Sequence, residues 1–447
     1  MNIKDITKRK SIEAVKNVLD DFILDDFQCV DAVTAVYRKR CVLGHDTGLG
    51  KTIVASAIIK MLHNERRNRK FLFVCKRNQF AQTPAKIRKA TGLRVIAISS
   101  EESSLDRKLF NGEFLKYDVV LLAEEVLDDA VANALLLTYK HEFCGIFVDE
   151  IHTMCNYMEA NRAGILKAMM KNFEYRIAMT ATPMTSSLEQ WCRILAMIEP
   201  ENFENWRDTL YDLEHYNLNL ERDFPGLYIR RTRADLGIPN VYNNHIHVVP
   251  AMPHQYGAKG KNLFRLCKGS SASNQVNKLV EILKGEKDKN PHSKGIVYIR
   301  HHDTRKWVTS ELDKVGIKYE CINGLTPISE RKRIMEEYNS NKCDLVITST
   351  TSSIDLDGDF VVLYEFTCEL RQILGRLERG LVPKEIQVHY IFTDDTEEIE
   401  YFLEKIYKRS LILQTILKRD YKMIIEIGNR IKKQQEERAK NTERMNL

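Results

Sequence analysis

Short apolar runs alternate with longer stretches of helical periodicity along most of this chain. A short run with no polar alternation must be covered on both faces, the condition of a strand in a parallel sheet flanked by helices. Two such series are present. In the first, Cys41 to Leu43, Phe71 to Cys75, Val95 to Ile98, Val119 to Leu122, Ile146 to Val148 and Ile177 to Met179 read as strands. In the second, Gly295 to Ile299, Lys318 to Ile322, Leu345 to Thr348, Val361 to Tyr364 and Ile386 to Ile391 read likewise. The pattern predicts an α/β protein of two tandem parallel sheets, and 447 residues at about 150 per domain agree with that. Between the series, residues 188–223 carry helical spacing and read as a helical insertion on the first lobe. From Tyr401 onward the chain reads as helical, ending in a polar tail, IKKQQEERAKNTERMNL, expected to fray.

Composition narrows the class. With 43% hydrophobic residues and only 20 Gly and 10 Pro, the chain is neither fibrous nor a low-complexity linker. The 68 Lys and Arg against 62 Asp and Glu leave a net charge of +6, which permits a nucleic-acid partner without demanding one. Ten cysteines are scattered with no CxxC pair, so reduced and mostly buried thiols are expected rather than a zinc or redox motif. MNIKDITKRKSIEAV is followed by no apolar h-region, and no stretch approaches the roughly 18 uncharged apolar residues of a membrane span. An intracellular, cytoplasmic protein with no membrane partner, acting as a monomer, is the expectation.

Two motifs carry the chemistry. In GHDTGLGKTIVASAII an apolar strand enters a glycine-bearing turn and an amphipathic helix leaves it. Gly48 and Gly50 would let backbone N–H groups close around phosphate oxygens at a helix N-terminus. Lys51 would neutralise the β and γ phosphates, and the Thr52 hydroxyl would ligate magnesium. His45 stands where the strict phosphate-loop pattern has glycine. In CGIFVDEIH a hydrophobic strand ends in two carboxylates: Asp149 is suited to hold Mg²⁺, and Glu150 to take a proton from attacking water. A phosphate loop, about 100 residues of α/β pattern, DExH, and then TAT some 30 residues on is an order that points to ATP hydrolysis.

On these residues the chain resembles the superfamily 2 helicases and translocases, from roughly Phe27 to Leu413. The resemblance implies two RecA-like lobes, 1–236 and 237–400, with ATP between them and a brace helix within 401–447. It implies that Gln28 reads the adenine edge, that AMTATPM couples hydrolysis to nucleic-acid grip, and that Ser349 and Thr350 touch the phosphate backbone. It further implies that Asp355 approaches the ribose and that Arg376 and Arg379, in QILGRLERG, stabilise charge on the transferred phosphoryl group. TATPMTSSLEQWCRILAMIEP and LYIRRTRADLGIP are similar to blocks of the Swi/Snf-type remodeller and translocase ATPases. TAT in place of TGT, SSID in motif V and GRLER in motif VI depart from that family's usual forms and suggest a compact viral or bacterial branch.

From Lys60 to Arg94 there are eleven Lys or Arg against one acid, Glu65, either a solvated basic face or a nucleic-acid track. Lys76 and Arg77 are the first-lobe contact candidates; Arg300, Gly324 and Arg331 are those of the second. His301 and His302, with no third ligand apparent, read as surface histidines rather than a metal pair. The expectation is a DNA-dependent ATPase moving on double-stranded DNA and remodelling protein–DNA or branched DNA structures, with that DNA and a recruiting protein as its partners. Two alternatives share the motifs: a strand-separating helicase or fork and R-loop remodeller, and a nucleotide-switched nucleic-acid clamp without motor activity.

Overall fold

The computed structural model describes the chain except residues 1–8, 66–68, 81, 102–103, 156–160, 184–187, 216, 239–240, 259–272, 350–355, 367–372, 375–376, 378–382, 395, 409, 412–421 and 446–447. The chain divides into two compact units, Met1–Thr232 and Arg233–Leu447.

The first unit is built on β1 (Arg40–Leu43), β2 (Lys70–Cys75), β3 (Val95–Ile98), β4 (Val119–Ala123), β5 (Phe143–Asp149), β6 (Tyr175–Met179) and β7 (Tyr228–Ile229). They form one sheet in the order β3-β4-β2-β5-β6-β1-β7, with its strand pairs parallel. Every residue of β4, β5 and β6 is buried, which is why these strands read as unbroken apolar runs. Helix Lys51–Glu65 buries Val54, Ala55, Ala57, Ile58, Ile59 and Leu62 in a core shared with Phe71, Phe73 and Phe147. Residues 188–223 contain helices Leu188–Ile198, Pro200–Phe203, Trp206–Glu214 and Leu220–Asp223, anchored by the fully buried Trp191.

The second unit is built on β8 (Val241–Val249), β9 (Gly295–Tyr298), β10 (Glu320–Ile322), β11 (Leu345–Thr348), β12 (Phe360–Leu363) and β13 (Glu385–Thr393). Their order is β10-β11-β9-β12-β13-β8, again with parallel pairs. Leu279 and Leu283 of helix Asn274–Lys289 pack on Val297, Ile347, Val362 and Ile391. Helix Lys422–Met445 takes in most of the tail expected to fray. Its Lys, Glu, Gln and Arg are good helix formers, and pairs such as Lys433 and Glu437, 4.0 Å apart, lie one turn apart along it.

Two strands had no sequence signal. β7 is two residues long, and β8 reads VYNNHIHVV, too polar for an apolar run. β8 nevertheless pairs with β13 over nine residues, because its polar groups meet polar partners: His245 lies 2.8 Å from Gln387 Oε1, and His247 Nε2 3.1 Å from His389 Nδ1. The eight described cysteines are all free. Six are buried, with the Cys155 and Cys192 thiols pushed up to about 12 by burial, so they pack as inert apolar groups.

Gly295 opens the central strand β9, where a Cβ would lie 2.0 Å from the Phe360 ring on β12. Gly295→Ala is therefore expected to destabilise the protein by about 2 kcal/mol through overpacking. A lower denaturant midpoint would register this, and adding Phe360→Leu should restore part of the loss.

Candidate nucleotide site and basic edges

The parallel sheet brings the phosphate-loop, DExH and TAT segments of the first unit to one edge. Leu43, at the end of β1, and Asp149, at the end of β5, both pair with Met179 at the end of β6, so the three strand ends lie side by side. In parallel α/β sheets this carboxyl edge is where ligands bind.

The loop after β1 enters helix Lys51–Glu65 through Gly48 at φ +84° and Gly50 at φ +78°, a region open to glycine. Gly50 is doubly constrained, since a Cβ there would meet Gln28 Nε2 at 2.5 Å. Gln28 is buried and braces the loop: its Oε1 accepts from the Asp25 N–H (3.0 Å) and its Nε2 donates to the Leu49 carbonyl (3.4 Å). Lys51 Nζ donates to the carbonyls of His45 (3.0 Å) and Asp46 (3.4 Å), so its charge is held at the mouth of the loop. Thr52 follows in the first turn of the helix.

Under the loop lies a buried ionic network. His45 is fully buried, with Nε2 3.2 Å from Asp31 Oδ2, and Arg231 donates from Nε (3.0 Å) and Nη2 (2.6 Å) to the same carboxylate. Arg230 binds Asp46 Oδ1 (2.6 Å) and the Gly44 carbonyl. Burial opposes ionisation of Asp31, but the hydrogen bonds from His45 and Arg231 prevail and hold its carboxyl below the usual range. Burial holds the His45 imidazole below its ordinary value, so it is neutral. The RRTR block thus ties the phosphate loop to the last segment of the first unit.

Asp149 ends β5, and Glu150 follows at φ +50°, a strained conformation for a residue with a Cβ. Asp149 is pushed up to about 6, chiefly by burial and then by the neighbouring Glu150, with Lys51 pulling the other way. Glu150 Oε2 lies 3.3 Å from His152 Nδ1, which in turn lies 2.8 Å from Thr180 Oγ1 of the TAT segment. Gln190 Nε2 donates to the His152 carbonyl (2.6 Å). His152 therefore links the carboxylates to the loop after β6. Two adjacent carboxylates at the end of a wholly buried strand, with Lys51 close enough to act on Asp149, are hard oxygen donors of the kind a divalent cation takes, so the residues fit Mg²⁺.

At the same edge, Lys76 and Arg77 follow β2; Arg77 is exposed and pairs with Glu101 at 2.6 Å. In the second unit Arg300 follows β9, its side chain exposed and its N–H donating to Glu365 Oε2 (2.6 Å). Glu365 is fully buried and also receives the His301 N–H (2.9 Å) and ring Nδ1 (3.1 Å). His301 is thus an ion-pair partner, its pKa raised by Glu365. Ser349 follows β11, its N–H donating to the Ile322 carbonyl (3.2 Å).

Arg331, expected to bind phosphate, is placed otherwise. Its guanidinium is buried and donates to the carbonyls of Asn323 (2.8 Å), Gly324 (3.0 Å) and Thr326 (2.9 Å), bracing that turn instead. Nothing lies within 4 Å of a Cβ built on Gly324, so packing does not require glycine there. Thr350, Asp355, Arg376 and Arg379 lie outside the described residues. Sequence reasoning missed Asp31, His152 and Thr180 as partners; the DExH and TAT motifs contained two of them, whereas Asp31 carried no signal.

Comparison with known proteins fits this geometry. Residues 28–235 match the SNF2-related domain and residues 274–381 the helicase conserved C-terminal domain. The chain belongs to the Swi/Snf-type ATPases of helicase superfamily 2. This Swi/Snf-type chain is 24% identical over 269 residues to human chromodomain-helicase-DNA-binding protein 1, matching 55% of this chain and 15% of that protein. It is 24% identical over 200 residues to protein CHROMATIN REMODELING 5 of Arabidopsis thaliana, matching 42% of this chain and 11% of that one. The chain thus spans a small fraction of these relatives' length. A solved structure, the Sulfolobus solfataricus SWI2/SNF2 ATPase core in complex with dsDNA, superposes with a TM-score of 0.44 at 18% identity, covering 92% of this chain and 97% of that one.

Removing Arg231 would leave the buried Asp31 carboxylate poorly compensated. Arg231→Met is expected to cost about 3 kcal/mol of stability, and Asp31→Asn in the same chain to recover most of it, as read from denaturant midpoints. Thr180→Val should remove one partner of His152 and loosen the imidazole beside Glu150, lowering the ATP hydrolysis rate at saturating ATP while nucleotide affinity changes little. Steady-state kinetics beside equilibrium nucleotide binding would separate the two.

Proposed function

We propose that this protein is an ATP-driven translocase on double-stranded or branched DNA, and that the first unit's carboxyl edge is its hydrolysis site. The observation that supports this most is the convergence of Lys51, Asp149, Glu150 and Thr180 on adjacent strand ends, within a chain matching both SNF2-related and helicase C-terminal domains. The dsDNA of the Sulfolobus complex is the substrate we carry over as part of this reading.

The residues divide the work. The backbone N–H groups around Gly48 and Gly50 cradle the phosphates, and Lys51 exchanges its carbonyl partners for β- and γ-phosphate oxygens. Thr52 and Asp149 would hold Mg²⁺, which when bound offsets negative charge on the phosphates. Glu150 accepts a proton from the water that attacks the γ-phosphorus, while His152 orients its carboxylate. The superfamily resemblance assigns charge stabilisation on the phosphoryl group to Arg376 and Arg379, the ribose to Asp355, and the adenine edge to Gln28, which would have to release the Leu49 carbonyl to reach it. Lys76, Arg77, Arg300, Ser349 and Thr350 hold the DNA backbone without reading bases. Each cycle of ATP binding and release alternates the grip of the two lobes, moving the backbone one step. Specificity would then come from a protein partner or from DNA structure, in a cytoplasmic monomer.

Duplex DNA is expected to stimulate ATP hydrolysis, and ATP to drive displacement of a triplex-forming strand. Lys51→Ala and Glu150→Gln should each lower DNA-stimulated hydrolysis by about a hundredfold or more with circular dichroism unchanged. Either variant turning over ATP at the normal rate would refute the site, and hydrolysis without displacement would favour the clamp.

A further inference from the structure

The turn after β10 holds an apolar side chain in water. Leu325 is 94% exposed, the most exposed of the large hydrophobic residues described. A single exposed leucine is ordinary on a protein surface. This one is set apart by the rigidity of its mount. Arg331 spends its guanidinium on the carbonyls of Asn323, Gly324 and Thr326, three hydrogen bonds of 2.8 to 3.0 Å from one buried cation. Asn323 Oδ1 accepts the Leu325 N–H (2.8 Å), Thr326 Oγ1 accepts the Asn323 N–H (2.9 Å), and the Asn323 carbonyl accepts the Thr326 N–H (3.1 Å). Pro327, exposed beside it, fixes the exit of the chain into helix Ile328–Asn339.

The turn also lies where nucleic acid is expected. It leaves the carboxyl end of β10, and Ser349, after β11, is hydrogen-bonded to Ile322 at that strand's last residue. β9, which leads to the exposed Arg300, is the next strand in the sheet. An edge that carries Ser349, the exposed Arg300 and one braced apolar tip matches the chemistry by which proteins insert leucine between base steps from the minor groove. We propose that Leu325 inserts into duplex DNA and partly unstacks a base step, adding an apolar contact to the backbone grip. The inference rests on the DNA reading above. Phosphate contacts alone would leave the leucine hydrated and its brace without use.

Two readouts on the full chain test this: affinity for a duplex across a salt series, and fluorescence of 2-aminopurine placed in that duplex. The wild type should raise the fluorescence on binding. Leu325→Ser should bind about tenfold more weakly, the loss of one buried leucine contact, with an unchanged salt slope and no fluorescence rise. Leu325→Met should keep both properties. Arg300→Ala should instead lower the salt slope by about one unit. A wild type that binds with a salt slope but no fluorescence rise, or a Leu325→Ser variant matching it in both readouts, would overturn the insertion alone. A wild type with no salt-dependent duplex binding would overturn the DNA reading and the insertion together.

Discussion

Parallel strand pairing is the constraint on which the molecule depends. Because the strand pairs in each sheet run the same way, each unit delivers its loops to a single carboxyl edge. The covering helices that parallel pairing requires leave that edge as the place where backbone N–H groups, carboxylates and basic side chains can face a ligand together. In the first unit it gathers Lys51, Asp149 and Thr180 from segments spread over 130 residues. In the second it gathers Arg300, the 323–327 turn and Ser349.

Electrostatics then gives the first edge its character. Asp149 and Glu150 are adjacent carboxylates at the end of a wholly buried strand, and burial already pushes Asp149 up to about 6. Such a pair favours a cation strongly. Asp31 has the opposite tendency, because a hydrogen bond from neutral His45 and the Arg231 guanidinium stabilise its charge. One carboxylate is thus poised for a ligand, while the other is committed to holding the phosphate loop against the end of the first unit. Arg331 in the second unit is similarly committed, a cation used to shape a loop rather than to meet a phosphate.

The strands buried on both faces were legible because nothing polar interrupts them: Val119 to Leu122 and Leu345 to Thr348 could be read directly. β8 was not, since an edge strand can satisfy Asn and His side chains by pairing them with polar neighbours, as His247 does with His389. The site followed the same division. Phosphate loop and DExH residues are contiguous and declare themselves, whereas the Asp31 to Arg231 pair joins positions 200 apart and leaves no periodic trace. The role of Arg331 was misread for a local reason. Spacing put it next to an exposed turn, but its guanidinium folds back onto that turn's own carbonyls. Leu325 was likewise silent, because exposure is a property of the folded chain.

The central claim is that Lys51, Asp149 and Glu150 form one nucleotide site, and a crystal structure with Mg²⁺ and a slowly hydrolysed ATP analogue tests it most directly. The account predicts that Lys51 Nζ leaves the carbonyls of His45 and Asp46 for the β- and γ-phosphate oxygens, with Asp149 beside the metal and Glu150 facing the γ-phosphorus. Triphosphate density elsewhere, with Lys51 still on those two carbonyls, would contradict it.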